Sequence, residues 1–187
     1  MLECDMRQAL KLHPETRSAA ATRIEVDVVR PRRGNLLLHY VVTGRIGDLS
    51  LPAATASTRA DELWQHTCFE AFLRATAGVA YFEFNFAPSR QWAAYRFGAY
   101  RDEMIVVHGV SAPRFSLQSS GESYELHAAL ELDGMPGLPS EAAWRLGLSA
   151  VIEETNGNKS YWALAHPPGK PDFHHALCFA HELPAPA

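Results

Sequence analysis

The sequence lacks the features of proteins that bind nucleic acids or cross membranes. It has no basic excess, since 17 lysines and arginines stand against 21 aspartates and glutamates and give a formal net charge of −4. Proteins that bind nucleic acids need a basic surface to displace counterions from phosphates, so we expect no such binding. No apolar stretch has the length of a signal peptide or a transmembrane helix. We therefore expect no membrane association and a cytoplasmic location.

Cysteine is also scarce. The three cysteines, Cys4, Cys68 and Cys178, lie far apart and show no Cys-x-x-Cys spacing. An odd number of widely separated cysteines argues against a disulfide framework. We therefore expect reduced, buried thiols. We do not expect Cys68 to act as a nucleophile, because the sequence shows no base or positive surroundings that would activate it.

The sequence is instead rich in short runs of alternating apolar and polar residues, separated by turns that contain glycine or proline. Such runs predict strands, and many short strands predict a β-sandwich or barrel with about ten strands. Helix is expected only near residues 5–12 and 59–64 and in a turn at 139–143, and Asn156-Gly157 predicts a tight hairpin. We expect one domain over residues 1–187, with an ordered core from about 12 to 182. The predicted strands cover residues 24–30, 35–43, 65–74, 81–86, 91–97, 104–108, 114–118, 124–132, 144–153, 159–165 and 176–181.

The strand parity of residues 65–74 and 81–86 predicts a polar surface. Side chains alternate between the two faces of a strand, so the phenylalanines at 82, 84 and 86 point one way, and Glu83 and Asn85 point the other way. Glu70 lies opposite the apolar face of the first run. If the two strands pair with both apolar faces on the core, then Glu70, Glu83 and Asn85 share the opposite face.

Several motifs along the chain resemble the DOMON-like domains, which are related to the ninth family of carbohydrate-binding modules. They are Leu63-Trp64-Gln65-His66-Thr67-Cys68-Phe69-Glu70, Tyr81-Phe82-Glu83-Phe84-Asn85-Phe86-Ala87-Pro88, and the later Ser160-Tyr161-Trp162-Ala163-Leu164 and Pro171-Asp172-Phe173-His174. Each motif is short, but their order and spacing agree over residues 12–182.

The resemblance implies a two-sheet β-sandwich of jelly-roll or immunoglobulin-like architecture, whose relatives bind sugars and, in other branches, haem. It carries ligand-binding roles over to Glu70, Tyr81, Glu83 and Asn85. Haem-binding relatives use axial Met and His residues. Met104 and His108 are present here, but their surroundings do not mark them as haem ligands, and we predict no cofactor.

We interpret the chain as a non-catalytic domain that recognises a small carbohydrate-like molecule on this polar face. Aromatic rings at strand ends are suited to stacking on sugars, and an arginine is suited to charge-assisted hydrogen bonds. A protein-interaction module that docks a partner chain on an exposed sheet is the first alternative. A glycoside-active enzyme that uses paired carboxylates is the second. The predicted ligand-binding residues are Glu70, Tyr81, Glu83, Asn85, Trp92, Arg101, Arg145 and Trp162.

The loop at residues 166–175 gathers histidines and an aspartate that are able to hold a divalent metal. His166, Asp172 and His174 show no recognised ligand spacing, however. In a proline-rich loop, Asp172 and His174 are equally suited to turn hydrogen bonds. We therefore assign no metal ligands from the sequence.

Overall fold

The all-β class is confirmed by a computed structural model of the chain, which describes residues 7–186. Cys4 and the first residues of the predicted helix at 5–12 lie outside the described residues. Three short 3-10 turns accompany the strands, at Ile46–Asp48, Leu63–Gln65 and Ala176–Cys178. The described residues form twelve strands: β1 Arg7–Leu12, β2 Ala21–Val29, β3 Asn35–Gly44, β4 Cys68–Ala75, β5 Tyr81–Phe86, β6 Trp92–Phe97, β7 Ile105–Val106, β8 Arg114–Ser119, β9 Ser123–Glu131, β10 Trp144–Glu153, β11 Lys159–Ala163 and β12 His181–Leu183.

The strands follow one continuous antiparallel path, in the order β7-β6-β5-β4-β10-β11-β1-β2-β3-β9-β8, with β12 paired to β10. Strand β1 connects the two halves of this path. Its first part pairs with β2 from Arg7 to Leu10, and its last residues, Lys11 and Leu12, pair with β11. The sheet therefore curls through β1, which belongs to both halves, and the predicted division into two separate sheets is not confirmed.

The main hydrophobic core lies where the inner faces of the two halves meet. Tyr40 of β3 donates a hydrogen bond of 2.7 Å to the main-chain oxygen of Glu70 on β4, and its ring packs against Phe69. Phe69 also stacks on Tyr124 of β9. Burial of this interface is the main source of stability, since the free energy gained scales with the apolar area removed from water.

A second hydrophobic layer covers the outer face of β4, β5, β6, β10 and β11. Phe72 and Tyr81 on this face contact Phe179, and Val151 belongs to the same cluster as Leu63 and Phe173. All six residues of β5 are buried as a result, although only one of its faces points into the main core. The chain segments that cover this face, around Leu63 and around 165–179, also shape the site described below.

Three secondary-structure predictions were wrong. The helix predicted at 59–64 is absent except for the start of the 3-10 turn Leu63–Gln65. Residues 7–12 of the predicted N-terminal helix form strand β1, because pairing with β2 and β11 overrides the helix propensity of this Gln-, Ala-, Leu- and Lys-containing segment. The strand predicted at 176–181 is a 3-10 turn followed by β12, which begins at His181. Across the described residues, no helix is long and apolar enough to span a membrane.

The hairpin predicted at Asn156-Gly157 is present between β10 and β11, but its turn is longer than predicted. Gly157 has a positive φ of 84°, whereas Asn156 does not adopt a positive φ. The Asn156 side chain instead accepts a hydrogen bond from the Asn158 amide, and the Glu154 amide donates to the Asn158 carbonyl. The turn therefore spans five residues.

Candidate functional site

A cleft of about 400 Å³ opens on the outer face of β4, β5, β6, β10 and β11. Its floor is made by the sheet. Its walls come from the 3-10 turn that carries Trp64, from the loop after β6 that carries Arg101, and from the segment between β11 and β12. The residues that line it are Trp64, Glu70, Glu83, Tyr95, Phe97, Arg101, Met104, Val151, Tyr161, Pro171, Phe173 and His174.

The polar part of the floor is the surface predicted from strand parity. Strands β4 and β5 pair so that Glu70 lies directly opposite Asn85, and Glu83 lies one pair further along the same face. Asn85 Nδ2 donates a hydrogen bond of 2.8 Å to Glu83 Oε1, and Ser149 Oγ on β10 donates one of 3.3 Å to Glu70 Oε2. The three side chains are buried rather than solvated, with exposures of 3% for Glu70, 5% for Glu83 and none for Asn85.

Burial changes the protonation of both carboxyl groups. It raises the pKa of Glu83 to about 7, and the hydrogen bond from Asn85 only partly opposes this. Burial, together with the negative charge of Glu83, raises the pKa of Glu70 well above its ordinary value. Burial therefore favours the protonated form of Glu70, which can donate as well as accept a hydrogen bond.

The floor also contains a polar atom without a partner. The side-chain oxygen Oδ1 of Asn85 is buried and accepts no hydrogen bond from any described residue. An unpaired buried acceptor is costly unless a ligand or an ordered water satisfies it. Asn85 therefore adds unmet hydrogen-bonding capacity directly beside the two carboxyl groups.

His174 closes the cleft above Glu83. Its Nδ1 lies 2.7 Å from the Tyr81 hydroxyl, and its Nε2 lies 3.7 Å from Glu83 Oε2. The Nε2–Oε2 distance is short enough for an ion pair. However, burial and the charge of Arg101 lower the pKa of His174 to about 4. Because the imidazole is neutral at pH 7 and Glu83 is only partly ionised, we interpret the contact as polar rather than ionic.

Arg101 and Asp172 join the two loops on one side of the cleft. Arg101 Nη2 and Nε lie 2.8 and 3.2 Å from Asp172 Oδ1, and Tyr100 donates its hydroxyl hydrogen to Asp172 Oδ2. Burial acts to raise the pKa of Asp172, but the hydrogen bonds from Tyr100 and Arg101 outweigh it and lower the pKa. Asp172 also accepts a bond from the main-chain amide of His174, as a turn residue does. The Arg101 side chain remains half exposed at the cleft.

Of the eight residues predicted to bind ligand, the structure brings five together. Glu70, Glu83 and Arg101 line the cleft. Asn85 supports Glu83 from the floor, and Tyr81 links the two walls because its hydroxyl accepts a hydrogen bond from the Arg101 amide and contacts His174.

The structure places the other three predicted residues outside the cleft. Trp92 lies in the main core and pairs with Phe86, so its ring points away from the polar face. Trp162 also lies in the main core, and its indole donates to Ser160. Arg145 is opposite Arg74 and forms an ion pair with Glu182 at 3.1 Å. It lies four residues along β10 from Ser149, or about 13 Å from the level of Glu70.

The strand-based prediction did not assign nine of the twelve lining residues to the site, and these include two pairs of aromatic rings. Trp64 is 39% exposed and packs edge-on against Tyr95 at the cleft wall. Tyr161 and Phe173 form a second pair of rings, 6.2 Å apart. The motifs that contain Trp64, Tyr161 and Phe173 were visible in the sequence, but their convergence depends on loop paths that alternation does not specify.

The other candidates from the sequence have different settings. His166 contacts the Lys11 carbonyl through Nε2, apart from the contacts that Asp172 and His174 make in the cleft wall. Met104 is exposed at the cleft rim, and His108 is exposed beyond β7. Burial raises the pKa of the Cys68 thiol well above its ordinary value, which opposes formation of a reactive thiolate.

Comparisons with known proteins establish the fold. No protein-family model matches the chain, and no curated protein matches it in sequence. The structure is similar to that of a candidate carbohydrate-binding protein from Bacteroides uniformis, with a TM-score of 0.68 and 16% identity over 92% of this chain and 83% of that one. It is also similar to a family 9 carbohydrate-binding module from Caldicellulosiruptor kristjanssonii in complex with cellotriose. That match has a TM-score of 0.53 and 12% identity over 87% of this chain and 74% of the other.

Proposed function

We propose that the chain is a non-catalytic domain that binds a small carbohydrate in the cleft above Glu70, Glu83 and Asn85. The observation that carries this proposal is a concave site in which aromatic side chains surround a buried acid and amide floor. Small-molecule sites have this character, with mainly apolar walls and a few polar groups that fix the ligand's orientation.

The chemistry of the cleft suits a pyranose ring. The apolar C–H face of a sugar can stack on Trp64, Tyr161 or Phe173, since these rings offer rigid apolar surface. Sugar hydroxyls both donate and accept hydrogen bonds. They match the carboxyl group of Glu70, whose pKa is raised, the partly ionised Glu83 and the unpaired oxygen of Asn85.

The fold supports the same proposal. Two structures that share it are a candidate carbohydrate-binding protein and a family 9 module in complex with cellotriose. We propose that the two halves of the curled sheet correspond to the two layers of such a sandwich, and that the chain is a DOMON-like relative of these modules. The concave cleft favours a small ligand over a protein partner, which would favour a wide, flat surface.

Calorimetric titration with glucose and with cellotriose tests the proposal. We expect saturable binding of at least one of them, weakened about tenfold or more by Glu83→Ala because a floor hydrogen bond to the sugar is lost. Glu122→Ala is the matched control, since Glu122 is exposed in the turn between β8 and β9. Arg101→Ala provides a second cleft variant at a half-exposed position. The absence of binding to any member of a glycan array would contradict the proposal.

A glycoside-active enzyme is the second candidate, because two carboxyl groups with raised pKa share the floor. Glycoside hydrolysis uses such a pair, one as an acid and one as a base or nucleophile. Incubation of the same oligosaccharides with the protein distinguishes the two functions. Release of reducing ends that is lost in both Glu70→Gln and Glu83→Gln would favour the enzyme, whereas binding without release favours the binding domain.

A further inference from the structure

A cluster of histidines and carboxylates lies on the other half of the sheet, on the outer face of β2, β3 and β9. The register places Asp27, His39 and His127 side by side in one row across the three strands. Glu125 lies two residues before His127 on the same face of β9, so it borders this row. The ligand-binding cleft is formed by different strands, so the two sites are separate.

The ligand atoms of three of these residues converge. His39 Nε2 lies 2.9 Å from Glu125 Oε2, and His127 Nε2 lies 3.8 Å from the same oxygen. Ligand atoms around a tetrahedral Zn²⁺ are about 3.3 Å apart, since the metal–ligand bonds are about 2.0–2.1 Å long. The two measured distances lie on either side of that separation. Among the described residues, these three are the group of histidines and acidic residues whose ligand atoms lie close enough together, all within 4.8 Å, to hold one metal ion.

A second observation points to the same use. His39 Nδ1 lies 3.3 Å from Asp27 Oδ2, on the side of the ring opposite Glu125. Arg7 holds Asp27 in place through two hydrogen bonds, of 2.8 and 2.7 Å. A histidine that binds a metal usually donates its other N–H to a carboxylate, which fixes the ring and makes it a better ligand. Asp27 supplies a carboxylate in that position.

We propose that His39, Glu125 and His127 form a binding site for a divalent transition metal such as Zn²⁺, with Asp27 orienting His39. Two imidazoles and one carboxylate are ligands that such metals prefer, and the partial exposure of the three side chains leaves room for water to complete the coordination.

Metal binding requires a local rearrangement of the two imidazoles. The rings of His39 and His127 are stacked, with centroids 3.8 Å apart and an angle of 10° between their planes. The lone pair of an imidazole nitrogen lies in the ring plane, so a shared metal requires the rings to rotate out of this stack. Both side chains are partly exposed, so the rotation does not have to displace a packed core.

The test uses the full chain without an added histidine tag, freed of metal with a chelator and titrated with Zn²⁺ in competition with a chromogenic chelator. We expect one-to-one binding, weakened about tenfold or more by His39→Ala or His127→Ala, and about tenfold by Asp27→Asn. His108→Ala, which changes an exposed histidine outside the cluster, should leave the affinity unchanged. Co²⁺ bound to the wild type should show visible d–d absorption that is absent from the His127→Ala variant.

Two results would overturn the proposal: no one-to-one complex with Zn²⁺, or equal affinity in the wild type and both histidine variants. If an alanine variant fails to fold, His127→Gln tests the same ligand with a polar side chain at this partly exposed position. Saccharide binding is measured separately in the cleft. Failure of Zn²⁺ binding would therefore not contradict saccharide binding in the cleft, and failure of saccharide binding would not contradict the metal site.

Discussion

Glu83→Gln is expected to stabilise the protein by about 2–3 kcal/mol at pH 8 and by much less at pH 4. Burial raises the pKa of Glu83 from 4.5 to about 7, so the folded state holds its proton more tightly than the unfolded state does. The stability that this provides is fully present below pH 4.5 and is lost as the pH rises through 7. Glutamine has nearly the same shape, can still accept the hydrogen bond from Asn85, and carries no charge at any pH.

Urea unfolding of the wild type and the variant at several values between pH 4 and pH 8 measures this effect. Burial lowers the pKa of His174 to about 4, so His174 changes stability in the opposite direction between pH 6.5 and 4. If His174 behaves alike in both proteins, the difference reports Glu83 together with its effect on Glu70, whose pKa the charge of Glu83 raises. Glu122→Gln is the exposed control and should give no pH-dependent difference. A Glu83→Gln difference that is the same at every pH would show that burial does not perturb this carboxyl group.

Trp64→Ala is expected to lower saccharide affinity by about tenfold to a hundredfold, because a large aromatic side chain that can stack on the sugar is removed. Trp64 is partly exposed at the cleft wall, so its loss should change the unfolding free energy little. The dissociation constant from calorimetry, measured at a temperature where both proteins are folded, gives the effect.

Trp162→Phe is the matched control for this prediction. Trp162 was predicted from the sequence to contact the ligand, but it lies in the main core. We expect the control to lose stability, because the indole hydrogen bond to Ser160 and part of the packing are removed, and to keep its saccharide affinity. Weaker binding in Trp162→Phe and unchanged binding in Trp64→Ala would contradict the assignment of the cleft.

The sequence predicted the polar floor of the cleft because strands β4 and β5 alternate clearly. The phenylalanines of β5 had to face the main core. Because side chains alternate along a strand, Glu83 and Asn85 then lie on the same outer face as Glu70. Strand β6 offers no such guide, since its sequence Trp-Ala-Ala-Tyr-Arg-Phe does not alternate between apolar and polar residues. The register with Phe86 determines that Trp92 points inward, and that register depends on the turn that joins the two strands.

The walls of the cleft could not be predicted from the sequence. An outer sheet face with acidic residues is usually solvated, but here Phe173, His174 and Phe179 from a distant segment cover it. That segment is held by the contacts that Asp172 makes with Arg101 and Tyr100, more than 70 residues earlier in the chain. Contacts between loops so far apart leave no periodic pattern, so burial of the carboxyl groups and their raised pKa became evident only in three dimensions.

Tryptophan fluorescence tests the central claim most directly, because Trp64 is the partly exposed member of the four tryptophans and the other three are buried in the main core. A saccharide that enters the cleft should change the emission of the wild type on titration. The change should disappear in Trp64→Phe, even at saccharide concentrations that calorimetry shows to be saturating for that variant. An equal change in emission in Trp64→Phe would place the saccharide elsewhere on the molecule and contradict the account.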